Sequence, residues 1–171
     1  MMENRHVISV LVENKPGVLA RVSGMFSGRG FNIHSLAVAP SQDPEFSRMT
    51  IVTHGNQQII EQIIKQLRKL INVVKVQDLT QGDYVDRDLI LIRVKATAAK
   101  RAEVLRITDI FRGKVVDVSH DTITLEVSGT QSKIDAILEL LGPLGITELI
   151  RTGSIAISRA KKVLKPGEPA E

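Results

Sequence analysis

Apolar and polar positions along the chain switch between two periods, and the order of the switches predicts the elements. Residues 6–12 form a short, nearly continuous apolar run, the pattern of a buried strand. In the following NKPGVLARVSGMFSGRG, the residues Val18, Leu19, Val22, Met25 and Phe26 recur at the spacing of one helix stripe. Asn14 is placed to cap that helix, Pro16 fits its first turn, and Gly30 is placed to stop it in a left-handed conformation. Residues 31–39 predict a strand, 40–46 a polar loop and 48–54 another strand. Asn56 can cap a helix whose stripe is Ile59, Ile60, Ile63, Ile64 and Leu67, and residues 73–79 close the unit as a strand. The order is βαββαβ.

A polar stretch centred on Gly82 has no apolar period, which predicts a linker over 81–87. The pattern then returns. Residues 89–96 read as strand, Val104, Ile107, Ile110 and Phe111 make a helix stripe with Leu105 off it, and 114–119 and 122–128 are strands flanking a His120-Asp121 turn. Ile134, Ile137, Leu138 and Leu141 mark a second helix, and 146–157 supply a last strand, kinked at Gly153. This is a second βαββαβ unit, about 80 residues after the first. The expected division is 5–80, a linker over 81–87, a second domain over 88–158, and a mobile tail over 159–171. The fold class is therefore α+β, two ferredoxin-like domains in tandem.

Such a unit is one antiparallel sheet with both helices on one face, so the other face is bare. The first strand is apolar in both parities, Val7 and Leu11 against Ile8, Val10 and Val12, which a sheet with one wet face does not need. A second subunit is the expected cover for that sheet or its edge.

Composition narrows the function by exclusion. The 171 residues are 43% hydrophobic and 25% charged, the balance of an ordinary globular protein. With no Cys there is no disulfide framework, thiolate metal site or cysteine nucleophile. The N-terminal apolar run is interrupted by Glu13, Asn14 and Pro16, which fits neither a signal peptide nor a membrane span, so a cytoplasmic protein is expected. The net charge of +4 divides as 9 basic and 8 acidic groups over residues 1–86, 10 and 9 over 87–158, and 4 and 2 from Arg159 onward. Each body segment is near neutral, a poor footprint for nucleic acid. RNA-binding modules of this shape stack bases on aromatics of the central strands, and VISVLV and SRMTIVT contain none. The histidines at 6, 34, 54 and 120 show no metal-ligand spacing, no Ser lies in a nucleophile elbow, and no paired carboxylates stand out. No catalytic residue and no metal site is expected.

One constellation remains. ENKPGVL, residues 13–19, combines a polar cap, a rigid Pro and a Gly without Cβ at a helix start. Helix N-termini present unpaired N–H groups and partial positive charge, which suit a carboxylate, and Gly17 lets a ligand approach the backbone. The same residues also make an ordinary capped turn, and spacing alone does not choose between the two.

ENKPGVLARVSGMFSGRGFNIHSLAV resembles the start of the ACT domain, the amino-acid-sensing βαββαβ module. Together with PSQDPEFSRMTIVTHG, FRGKVVDVS and GSIAISR, it is similar over residues 5 to about 160 to the small regulatory subunits of acetolactate synthase. The resemblance implies an N-terminal ACT domain with a ferredoxin-like companion, in a homodimer joined through the ACT domains. It implies a non-catalytic subunit that activates a large catalytic subunit and confers feedback inhibition by valine. Thiamine diphosphate, Mg2+ and FAD are implied for the large subunit, with no cofactor on this chain. It places valine between the turn Asn14, Pro16, Gly17, Val18 and Leu19 of one subunit and Asn32 and Ile33 of the other. A free-standing ACT sensor acting on another target is the competing reading.

Overall fold

A continuous apolar strand has to run through the middle of a sheet, and β1 (Asn4–Glu13) does so. The structure, a computed structural model, describes residues 4–159, so of the tail expected over 159–171 only Arg159 is described, its amide donating to Asp83 O at 2.9 Å, and the rest lies outside the described residues. After β1 come α1 (Val18–Ser27), β2 (Ser35–Pro40), β3 (Phe46–Gly55), α2 (Gln57–Leu67) and β4 (Val73–Asp78). The sheet is antiparallel in the order β2-β3-β1-β4. Ile8 stands opposite Ile51 and Val10 opposite Met49, and this face is covered by Val22, Met25 and Phe26 of α1 with Ile60, Ile63 and Leu67 of α2. Asn56 caps α2 by accepting the Ile59 amide at 3.0 Å.

Three local expectations change. Leu19 is 43% exposed, so the buried stripe of α1 is Val18, Val22, Met25 and Phe26. The helix is capped by Gly17 at φ +82, because Asn14 lies three residues before the cap and is engaged elsewhere. The strand expected from residue 31 begins only at Ser35. The amide of Phe31 closes α1 by donating to Phe26 O at 3.0 Å, with Gly30 left-handed at φ +69 as its spacing predicts, and the backbone joins the ladder only from His34, whose amide donates to Val52 O at 2.8 Å.

The second half has β5 (Tyr84–Lys95), α3 (Arg101–Ile110), β6 (Lys114–Val118), β7 (Thr122–Gly129), α4 (Gln131–Gly145), β8 (Ile146–Arg151) and β9 (Ile155–Ser158). Its sheet order is β6-β7-β5-β8, with β9 also paired to β5. Ile90, Ile92 and Val94 meet Ile123, Leu125 and Val127, beneath Val104 and Ile107 of α3 and Ile134, Ile137 and Leu141 of α4. Ile110, expected in the stripe, is 67% exposed. Thr108 is buried in its place because its hydroxyl donates to Val104 O at 2.7 Å, which satisfies it inside the core.

The segment 81–87 is not an unstructured linker. A 3-10 turn, Leu79–Gln81, leads into β5, and Tyr84–Arg87 pair antiparallel with β9. Gly153, at φ +79, breaks the expected single last strand in two, so β8 and β9 pair with different parts of β5. The β5–β9 ribbon crosses the bare face of the first sheet, where Tyr84 and Ala156 pack on Val7, Val52 and Leu79. The Ala156 amide donates to Thr50 Oγ1 at 3.4 Å. Both parities of β1 are therefore apolar in part because the chain covers that face itself, where a second subunit was expected. Leu11, Arg48, Lys75 and Gln77 lie beyond the ribbon and line an open groove. Among the described residues no helix is long and apolar enough to cross a membrane.

Where the ribbon leaves the second sheet, buried Asp88 accepts from Arg151 Nε at 3.0 Å and NH2 at 2.6 Å, and from Thr152 Oγ1 at 3.2 Å. Asp88 is buried while Arg151 is one-third exposed, so removing Arg151 leaves a buried carboxylate with fewer partners. Arg151→Met should lower unfolding free energy in urea by roughly 1–3 kcal/mol, and adding Asp88→Leu should recover part of it. In the first core, Ile63→Ala should cost about 2–5 kcal/mol in the same measurement.

Candidate functional site

The turn between β1 and α1 is built by backbone geometry that only a few residues allow. Gly17 holds φ +82, a region that L side chains rarely adopt, and a Cβ there would point into open space. Gly17 has no side chain to accept from the first-turn amides, and no other side chain caps them. The Val18 amide reaches Lys15 O only at 3.4 Å. The Leu19 and Ala20 amides thus face outward at the positive end of the helix dipole.

Asn14 is held from two sides. Its amide donates to Glu45 O at 2.7 Å and its side-chain Nδ2 to Pro44 O at 3.0 Å. With the donor end committed to the β2–β3 loop, the Oδ1 end is the acceptor left for a ligand ammonium. Glu13, Asn14 and Lys15 with Pro44, Glu45 and Phe46 line a cleft of about 420 Å³ beside the helix start. Pro16 is exposed in the same turn. Val18 is different: its side chain is 4% exposed and belongs to the core, so only its backbone is available to a ligand. Leu19 presents its exposed side chain beside the turn.

A polar brace supports this turn. Asn72 Nδ2 donates to Glu13 Oε2 at 2.6 Å, Arg21 donates to Asn72 Oδ1 at 2.8 Å, and Lys15 Nζ lies 3.2 Å from Glu13. The hydrogen bond from Asn72, then the one from Lys15, holds the Glu13 pKa below its ordinary carboxylate value. Asn72 was not among the residues singled out from the sequence. It is 59 positions from Glu13, and no local spacing signals such a pair.

Asn32 and Ile33 lie just before β2. Asn32 O accepts from Thr53 Oγ1 at 2.7 Å, which leaves its side chain exposed, and Ile33 packs partly on the core. The loop that holds Asn14 follows the other end of β2. Six strand residues, about 20 Å, therefore separate the two groups within one chain, and a single copy does not bring them together. The arrangement can bind a carboxylate at the helix start and an ammonium at an amide oxygen. Among the described residues no three His, Asp or Glu side chains converge as a metal site. His34 and His54, isolated in sequence, meet edge-on with ring centroids 4.7 Å apart.

Comparison with known proteins agrees with this architecture half by half. Residues 8–75 match the family model described as an AHAS small subunit-like ACT domain, and 87–160 match the model for the small subunit of acetolactate synthase. A probable acetolactate synthase small subunit of Archaeoglobus fulgidus is 51% identical over 158 residues, covering 92% of this chain and 99% of the relative. The isozyme 3 small subunit of Escherichia coli is 45% identical over 162 residues, 94% of this chain and 99% of its own. The crystal structure of the small subunit from Thermotoga maritima superposes with a TM-score of 0.84 at 40% identity, over 92% of this chain and 99% of that one. Similarity that spans both sheets and nearly the whole of each relative places this chain in the family of acetolactate synthase small subunits.

Proposed function

We propose that this chain is a regulatory subunit that activates the catalytic large subunit of acetolactate synthase and makes it sensitive to valine. Its relatives are named as small subunits of that synthase, which supports a regulatory role and a large partner. Thiamine diphosphate, Mg2+ and FAD chemistry is assigned to that partner, and this chain contributes binding and control.

The observation that carries the effector reading is the separation of the two halves of the site along β2. The free edge of β2 has no strand partner among the described residues, and a two-fold pairing of β2 with β2 of a second copy is antiparallel. In that pairing the start of one β2 lies beside the end of the other, so Asn32 and Ile33 of one copy approach the Asn14–Leu19 turn of its partner. The valine carboxylate meets the Leu19 and Ala20 amides, its ammonium meets Asn14 Oδ1 or the Asn32 side chain, and its isopropyl group packs on Leu19 and Ile33. Burying that group contributes roughly 1.5–3 kcal/mol. A charge-assisted hydrogen bond adds about 1.5–3 kcal/mol. After association costs these give the micromolar to millimolar affinity suited to a metabolite sensor.

Light scattering at micromolar concentration should give twice the mass of the chain, and a monomer mass would remove the shared site. Gly17→Asp should abolish valine inhibition of the reconstituted enzyme while activation of the large subunit persists. The added carboxylate enters ligand space and repels the ligand carboxylate. Gly17→Asn tolerates the left-handed backbone without the charge and separates strain from repulsion. Asn32→Ala should weaken inhibition from the opposite wall. A mixture of Gly17→Asp and Asn32→Ala chains provides the decisive comparison. In a mixed dimer one site carries both defects and the other carries neither, so valine sensitivity should partly return on mixing. Failure to complement, with each variant dimeric, would contradict a site shared between copies.

A further inference from the structure

Among the described residues, the segment proposed to meet the effector is hydrogen-bonded to the C-terminal half at Ser35. Asn32 and Ile33 run directly into Ser35, the first residue of β2. Ser35 Oγ accepts the backbone amide of Ser154 at 3.2 Å. Ser154 is 4% exposed, and its hydroxyl accepts from Arg5 NH2 at 3.0 Å, while the same Arg5 nitrogen lies 3.4 Å from Asp86 at the start of β5. The contact falls at the break between β8 and β9, where Gly153 holds φ +79 and any Cβ would collide with the Ser35 hydroxyl.

Around this contact the two halves are not packed. A polar cleft of about 510 Å³ opens beside it, with His34 and His54 on the first half and Gln131, Asp135 and Arg151 on the second. Among the described residues, the buried apolar cluster that joins the halves is Val7, Val52 and Leu79 with Tyr84 and Ala156 packed against it. That arrangement permits movement at Ser35 without opening either core, with the apolar patch as the pivot.

We propose that Ser35, received by Gly153 and Ser154, is the positioning residue that transmits effector binding at Asn32–Ile33 to the C-terminal sheet. The inference rests on the effector reading of Asn32 and Ile33. A shift of the segment before β2 moves the Ser35 hydroxyl, which makes or breaks its bond to the Ser154 amide and redirects β8 relative to β9. Both β8 and β9 pair with β5, the central strand of the second sheet, so the change reaches that sheet through backbone hydrogen bonds.

The test uses the full chain, alone and reconstituted with the large subunit. Valine should alter hydrogen exchange at the Ser154 and Ala156 amides of the unmodified chain. Ser35→Ala removes the acceptor and should leave calorimetric valine binding unchanged while weakening valine inhibition about 2- to 10-fold, the range for one net hydrogen bond. Gly153→Ala should also weaken inhibition, and the pair Ser35→Ala with Gly153→Ala should be less impaired than the sum of the singles, because the smaller side chain relieves the collision. Thermal unfolding of each variant separates loss of coupling from loss of folding. Normal inhibition in Ser35→Ala, or loss of valine binding along with inhibition, would overturn the proposal. Absence of valine binding by the unmodified chain would overturn the effector reading and the latch together, whereas binding with no change at Ser154 and Ala156 would overturn the latch alone.

Discussion

The constraint on which the rest depends is that a βαββαβ unit has helices for only one face of its sheet. The covered face is settled locally by Ile8, Val10, Ile51 and Met49 under α1 and α2. The bare face needs another solution, and the chain supplies part of it by crossing Val7 and Val52 with the β5–β9 ribbon. Two consequences follow. The halves are tied through the ribbon rather than through a flexible linker, and the first and last strands of the described chain share one environment. The uncovered groove at Leu11, Arg48 and Lys75, with the free edge of β2 along it, is where the first sheet remains open to other molecules.

Both βαββαβ units and most of their core were legible in the sequence because helix and strand stripes are local signals. Ile60, Ile63 and Leu67, or Val104 and Ile107, announce their faces within a few residues of one another. The misreadings occur where a distant partner decides. Residues 84–87 look like a linker because Asp86 and Arg87 flank few apolar positions, and only β9, some 70 residues later, makes them strand. The break at Gly153 was visible as a kink, but its consequence, two strands paired with different stretches of β5, depends on partners some 60 to 70 residues earlier in the chain. Ile110 and Thr108 exchanged places because a threonine that bonds the preceding helical turn can be buried without penalty.

The candidate site divides in the same way. The glycine turn was legible because ENKPGVL concentrates cap, rigid and flexible residues in seven positions. Its support was not legible: Asn72 bracing Glu13 and Arg21, and Pro44 and Glu45 holding Asn14, come from elements 30 to 60 residues away. Asn14 stands where a cap is expected, yet Gly17 takes that role and the Asn14 side-chain amide turns to Pro44 O instead. The placement of Asn32 and Asn14 at opposite ends of β2 then gives the account its physical content. A ligand that needs both groups cannot bind one copy, so in the proposed dimer the free edge of β2 and the effector chemistry become aspects of the same interface.

That dependence is a linkage relation, and it can be measured without the catalytic partner. A ligand that binds only the dimer must stabilise the dimer by mass action. Sedimentation equilibrium of the isolated chain, diluted until monomer is populated and then supplied with valine, reads this directly. Saturating valine should shift the population to dimer, and apparent valine affinity should rise with protein concentration. Valine bound equally well at dilutions where the chain is monomeric, with no change in mass, would contradict the shared site.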